Sequence, residues 1–281
     1  MKSVNASKQL EELPGLIRHR GINVGKGFNL LMRGETVGTT KSGEISDLLD
    51  ISSGSLISVV GCGGKTSLIE LLASENIEKK VLVSTTTKTF PMISDTVILC
   101  DTLKSSIKHE PQAGVQCLGQ YNERNGKLEA LPEHILVDMV PHYDIVLMEA
   151  DGSRWLPCKG WRDNEPVIHY FSTHTVGVVT MGALGKAAAK DCVHHLPEFL
   201  SLTGLYEGDI ITEQALEDMV CLPGGMFKNC VGQRYLLVNK VEDDTVAHTS
   251  ESFLKTVKMK YPGCFRRLVY GSVHKNSWQE V

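Results

Sequence analysis

One stretch constrains this chain more than any other: Ile57-Ser58-Val59-Val60-Gly61-Cys62-Gly63-Gly64-Lys65-Thr66-Ser67. A β-branched apolar run enters a glycine cluster, Lys-Thr follows, and Leu68-Ile69-Glu70-Leu71-Leu72-Ala73 continues at helical spacing. The order predicts strand, tight loop, helix. Glycines let a backbone come close to phosphate oxygens, and the N–H groups at a helix start point at an anion. A lysine reaches terminal phosphates, and a threonine hydroxyl ligates magnesium. Gly61, Cys62, Gly63, Gly64, Lys65, Thr66 and Ser67 are therefore the candidate phosphate contacts, with Thr66 also a metal candidate. The commoner spacing, G-x-x-x-x-G-K-[ST], needs glycine at 59, where this chain has Val59; what stands here is the shorter G-x-x-G-K-T from Gly61 to Thr66. A glycine-rich turn with a stray lysine is the bland alternative. The strand before and the helix after speak against it.

The whole chain sets the frame for that loop. Its 281 residues, 42% hydrophobic and 22% charged, suit a globular protein with a substantial core. A net charge of −4 argues against a general nucleic-acid or anionic-membrane binder. Apolar runs are too short to span a bilayer, and Met1 to Ser7 lacks the apolar core of a secretory signal. Eight scattered cysteines with no C-x-x-C pair read as reduced thiols, so the expected compartment is the cytoplasm.

Residues 1–43 read as an extension that is flexible or docked late, with Glu11 to Ile17 as a short helix broken by Pro14-Gly15. From residue 44 to 281, strand and helix patterns alternate. Strands are expected at Leu56–Val60, Val81–Ser84, Thr96–Cys100, Asp144–Glu149, Thr175–Thr180, Tyr235–Asn239 and Leu268–Gly271. Helices are expected at Thr66–Ser74, Glu133–Val140, Glu198–Leu202, Glu213–Val220 and Asp244–Met259, with a short one near Glu44–Leu49. This is the pattern of an α/β domain, a mostly parallel sheet flanked by helices. Val115 to Leu131 departs from it, reading as a β-hairpin insertion turned at Arg124-Asn125-Gly126 that decorates an edge.

Other segments carry chemistry. Tyr143 to Arg154 is an apolar strand ending in Glu149 and Asp151, where ligands of parallel sheets gather. Either carboxylate can hold magnesium or orient an attacking water, or simply cap a turn. Val83 to Lys88 places Thr86, Thr87 and Lys88 after the second strand, as hydroxyl and charge donors or as plain strand formers. Arg154 and Lys159, in the loop to Ile168, are either anion contacts or solvated charges. Asn239-Lys240-Val241-Glu242 ends a strand the way Asn-Lys-x-Asp does in GTPases, where the acid accepts from guanine ring N–H groups. Glu242 is one methylene longer than that Asp, so ATP and GTP both stay open. Gly182 to Lys186 is an anion-contacting turn or a flexible loop. His194-His195 reads as a polar surface pair, since neighbours on a helix do not face one way. Cys62 reads as an inert small residue inside the loop rather than an activated thiol.

Taken in order, these blocks resemble the YqeC family, accessory proteins of selenium-dependent molybdenum hydroxylases. The resemblance rests on Val60 to Thr66, Ser84 to Lys88, Glu149-Ala150-Asp151-Gly152-Ser153-Arg154 with Leu156-Pro157-Cys158-Lys159, Glu165 to Ile168, His194 with Leu202-Thr203-Gly204, and Val238-Asn239-Lys240. It covers about residues 45–275. His195 stands where the family pattern has arginine. The resemblance implies a P-loop NTPase-like three-layer sandwich that helps mature such a hydroxylase. Together with the loop it leads to an expected magnesium-dependent nucleoside-triphosphate-binding protein, with the apo-hydroxylase or proteins handling the molybdenum cofactor as partners. Lys65, Glu149 and Asp151 are the expected catalytic group, and Thr66, Glu149 and Asp151 the metal ligands. Arg154, Lys159, Asn239, Lys240 and Glu242 are further nucleotide contacts.

Overall fold

The computed structural model describes residues 44–89, 97–100, 111–122 and 124–281; of residues 97–100 and 121 the backbone alone is described. The expected extension over 1–43, its helix, and Thr96 lie outside the described residues.

A short helix α1 (Ile45–Leu48) precedes β1 (Ser55–Gly61), α2 (Lys65–Glu75) and β2 (Lys80–Thr85). Then come β3 (Val97–Cys100), β4 (Gly114–Asn122), β5 (Lys127–Glu129), α3 (Glu133–Met139), β6 (Ile145–Glu149) and β7 (Cys158–Lys159). The second half holds β8 (His174–Thr180), β9 (Val193–His194), α4 (Leu196–Thr203), α5 (Glu213–Cys221), β10 (Gln233–Asn239), α6 (Asp244–Lys260), β11 (Arg267–Ser272) and β12 (Ser277–Glu280). The main sheet runs β12-β11-β10-β8-β1-β6-β2-β4-β3, with β5 added to β4. Every pairing in it is parallel except β11–β12 and β4–β5.

Both faces of the sheet are covered, and this is why its central strands are apolar runs without alternation. All seven residues of β1 and all five of β6 are buried. Ile57 and Val59 pack with Val81, Leu147 and Val178 against α1 and α2 through Ile45, Leu68, Ile69 and Leu72. On the opposite face Leu56, Val146 and Met148 meet α3 through Leu136 and Met139. Beyond them on that face, Val60, Val179 and Val238 meet α4, α5 and α6 through Phe199, Leu216 and Leu254. The result is helix, sheet, helix in three layers. Among the described residues no helix is long and apolar enough to cross a membrane.

Two expectations need correction. The segment Val115 to Leu131 is a hairpin, but it does not merely decorate an edge. β4 pairs parallel with both β2 and β3, so only β5 is an addition. The loop after Asp151 is also not wholly irregular: Cys158 and Lys159 pair with Val193 and His194 in a separate two-stranded sheet. β12 is an element the sequence pattern did not mark, because its exposed Ser277, Gln279 and Glu280 leave Trp278 as the one buried side chain.

The sheet order places a switch point at β1. The chain leaves β1 toward β6 and β2 on one side and reaches β8 and β10 on the other, and the carboxyl end of the strand at such a switch point is where sheets of this kind bind ligands.

Candidate functional site

The loop at the switch point is short because β1 continues through Val59 and Val60 to Gly61, and α2 begins at Lys65. Three glycines make the turn possible. Gly61, Gly63 and Gly64 have φ of +99°, +107° and +115°. A Cβ on Gly61 would stand 2.4 Å from the carbonyl oxygen of Val178, and one on Gly64 2.6 Å from Nδ2 of Asn239. The loop is thus pressed onto the ends of β8 and β10. Its own amides are largely spare. Cys62 N–H donates to Val178 O and Leu68 N–H to Gly64 O. Between them, the amides of Gly63, Gly64, Lys65, Thr66 and Ser67 have no acceptor among the described residues, and α2 has no side-chain cap. Five consecutive free N–H groups at the positive end of an 11-residue helix form an anion cradle.

Lys65 is buried at 4% exposure. Its Nζ donates to Gly61 O at 2.6 Å and lies 3.2 Å from Asp151 Oδ1 and 3.9 Å from Glu149 Oε1. Burial alone would pull this ammonium's pKa down; Asp151 and then Glu149 outweigh it, and the net shift is upward.

The two carboxylates at the end of β6 have different surroundings. Glu149 ends the strand, and its Oε2 accepts from Thr66 Oγ1 and Thr89 Oγ1, each at 3.1 Å. Its backbone oxygen accepts from Thr85 Oγ1 and Thr86 N–H, both at 3.0 Å. Its charge, after burial, helps raise the pKa of Glu70 one turn along α2 from Thr66. Asp151 lies past the strand end and is turned beneath the loop with 0% exposure. It accepts from Gly61 N–H at 3.1 and 3.0 Å and from the Trp161 indole at 2.8 Å. Lys159 stands 3.4 Å from Oδ2, the oxygen that the indole also reaches. Burial pushes Asp151 up, but Lys65 and Lys159 pull harder, and its carboxyl is held below the ordinary value.

The remaining candidates separate into those brought to the site and those held away. Thr86 Oγ1 donates to Val167 O at 2.8 Å, and Thr87 N–H to Thr85 Oγ1 at 3.0 Å, so both shape the rim beside Glu149. Lys88 is exposed and paired with Glu129 of β5 at 2.9 Å. Arg154 is exposed in left-handed backbone at φ +49°, and its charge acts on His194. Lys159 is not a solvated loop charge: it is wholly buried between Asp151 and Glu165. Asn239 is a strut, donating from Nδ2 to Gly63 O at 2.9 Å and accepting at Oδ1 from Val273 N–H at 3.0 Å. Lys240 is exposed at φ +65°. Glu242 Oε1 accepts from Ser272 Oγ at 2.7 Å. Cys62 is buried, its thiol donating to Pro157 O at 3.0 Å, and burial pushes its pKa up to about 12, as befits an inert residue. Ser67 is exposed at the helix start.

Sequence reasoning missed Thr89, Trp161 and Ser272. Thr89 follows directly on the run of threonines and Lys88 already singled out, so composition could have included it. Trp161 and Ser272 meet their partners only through the fold. The histidine pair also needs correction. His194 ends β9 and His195 precedes α4 in left-handed backbone at φ +55°, so the ring centroids lie 3.8 Å apart, tilted by 33°, rather than diverging.

Residues 57–197 match the profile of a family described as YqeC protein. A protein of Escherichia coli (strain K12) described as "Uncharacterized protein YqeC" is 31% identical over 180 residues, which cover 62% of this chain and 70% of that protein. The profile match contains Gly61–Thr66, Glu149, Asp151, Lys159 and His194, and ends before β10.

Proposed function

The chain belongs to the YqeC protein family, and from that premise we propose that it is a magnesium-dependent nucleoside triphosphatase. The observation that carries this reading is the run of five free amides from Gly63 to Ser67, with Lys65 behind them and Thr66 touching Glu149. The amides and Lys65 would hold the β- and γ-phosphates, as preorganised donors do best where water is excluded. Magnesium prefers hard oxygen ligands and keeps several waters, so a threonine hydroxyl and one carboxylate beside the phosphates are a fitting donor set. Thr66 and Glu149 would hold it. The ion, when bound, neutralises charge on the phosphates. Asp151 has no free edge toward the cradle, and we assign it to holding the loop rather than to the metal.

The base would lie at Asn239 to Glu242. Ser272 orients one oxygen of Glu242, and a carboxylate can accept from two adjacent N–H groups, which guanine has and adenine lacks. GTP is therefore the proposed nucleotide over ATP. The sequence resemblance points to maturation of a selenium-dependent molybdenum hydroxylase as the process served, with the apo-hydroxylase or a protein handling its molybdenum cofactor as partner.

Equilibrium binding and phosphate release test the reading. Lys65→Ala is expected to lower turnover about 100-fold or more. Wild-type rates in that variant would sink the assignment. Glu242→Gln is expected to narrow the preference for GTP over ATP in competition. Tight binding without turnover, even with the apo-hydroxylase present, would favour a nucleotide-fixed scaffold instead.

A further inference from the structure

Lys159 is an odd lysine. It ends the two-residue strand β7, and it has 0% exposure and no water-facing side. Its Nζ donates to Gly152 O at 2.7 Å and lies 3.4 Å from Asp151 and 3.2 Å from Glu165. Asp151 in turn has a lysine on each oxygen: Lys65 at Oδ1, Lys159 at Oδ2. On its far side Glu165 stands 3.2 Å from the imidazole of His195, whose pKa burial pulls down.

This arrangement bears on a problem that any phosphate ligand would raise. Lys65 is tied to Asp151 and Gly61 O, and must turn from them to reach a phosphate. A fully buried carboxylate that loses its only cation is strongly destabilised, so it would hold that cation back. A second buried cation on the other oxygen removes the penalty, while Gly61 N–H and the Trp161 indole keep Asp151 in place. We propose that Lys159 is a positioning residue, a substitute counter-ion for Asp151 that frees Lys65 to engage the phosphates of the bound nucleotide. The inference rests on the nucleotide reading above. Glu165 competes with Asp151 for Lys159 and so sets how fully the substitution is made.

A simple staple between the loop and β6 would also bury a lysine here. It would make Lys159 matter for stability, and it would give no reason for a change at Asp151 to restore ligand affinity. The test is binding of a fluorescent non-hydrolysable GTP analogue with magnesium to full-length wild type, Lys159→Met, Asp151→Asn, the double variant and Glu165→Gln, with a thermal melt of each. Lys159→Met is expected to weaken binding about tenfold, as Lys65 is retained by Asp151. The double variant is expected to recover to within about threefold of wild type, a coupling that the cycle isolates. Glu165→Gln, which leaves Asp151 as the one carboxylate beside Lys159, is expected to bind at least as tightly as wild type and serves if Lys159→Met does not fold. Wild-type affinity in Lys159→Met, no recovery in the double variant, or weakened binding in Glu165→Gln would each overturn the inference alone. Absence of binding by wild type would remove the nucleotide reading and this inference with it.

Discussion

The two ends of β1 use the same ingredients to different effect. At the amino end, Asp50 lies between Arg267 at 2.7 Å and Arg266 at 3.1 Å, with the Tyr235 hydroxyl also donating to it. At the carboxyl end, Asp151 lies between Lys65 and Lys159. Asp50 keeps 30% of its side chain exposed and Arg266 58%, whereas Asp151 and Lys159 keep none. Water and salt screen the first set, and little screens the second. The amino-end group is saturated and ties strand starts together. The carboxyl-end group sits under a row of free amides. A paired carboxylate becomes part of a site only when something beside it is left unfilled.

Breaking each carboxylate gives the largest contrast. Asp151→Ala is expected to cost about 3–5 kcal/mol, because two buried lysines lose the carboxylate they share and keep only Glu149 and Glu165. Asp50→Ala is expected to cost about 1 kcal/mol. Urea midpoints measure both, and only the Asp50 contribution is expected to shrink in about 0.5 M salt, where the Debye length is a few ångströms. Similar losses at the two positions would remove the distinction.

Glycines at the two ends make a second pair. Gly54 has φ +89° and open space where a Cβ would go; Gly61 has φ +99° and a carbonyl oxygen in the way. Gly54→Ala is expected to cost about 1 kcal/mol of backbone strain and Gly61→Ala about 3 kcal/mol, with loss of the proposed nucleotide binding in the second only. Thermal melts and the binding assay read both.

The smallest effect is acid sensitivity. His194, at the carboxyl end, has a pKa pulled down to about 4, by burial first and then by His195, Lys159, Arg154 and Arg162. His174, at the amino end, is lowered by burial, while Asp50 pulls the other way. With the folded pKa below the unfolded one, the unfolded chain binds more protons from pH 6.5 down to about 4, so stability falls on acidification through that window. His194→Gln is expected to flatten the decline of Tm with pH more than His174→Gln. Equal flattening would show that the cations around His194 add little to burial.

Much of this was legible before any fold was known. The strand, loop and helix of Ile57 to Ala73 declare themselves because each signal is local: β-branched residues, glycines, then helical spacing. Glu149 was legible too, as the acid closing an apolar strand. The place of Asp151 was not legible in the same stretch: β6 ends at Glu149, and the chain then turns so that Asp151 faces the underside of the loop. For Lys159 the sequence offers an anion contact or a solvated charge, both of which assume a lysine at the surface of a loop. The β7–β9 pairing places it inside instead.

By itself, then, the sequence determined the parallel α/β plan, the glycine loop and the lysine and threonine that open α2, since these depend on neighbours within a turn or a strand. The tertiary structure alone decided which acid meets which cation. Gly61 meets Asp151 across 90 positions and Asn239 meets Gly63 across 176, through the order β10-β8-β1-β6. Burial then decides how strongly such charges act on one another, and burial is a property of the packed sheet rather than of any residue in it.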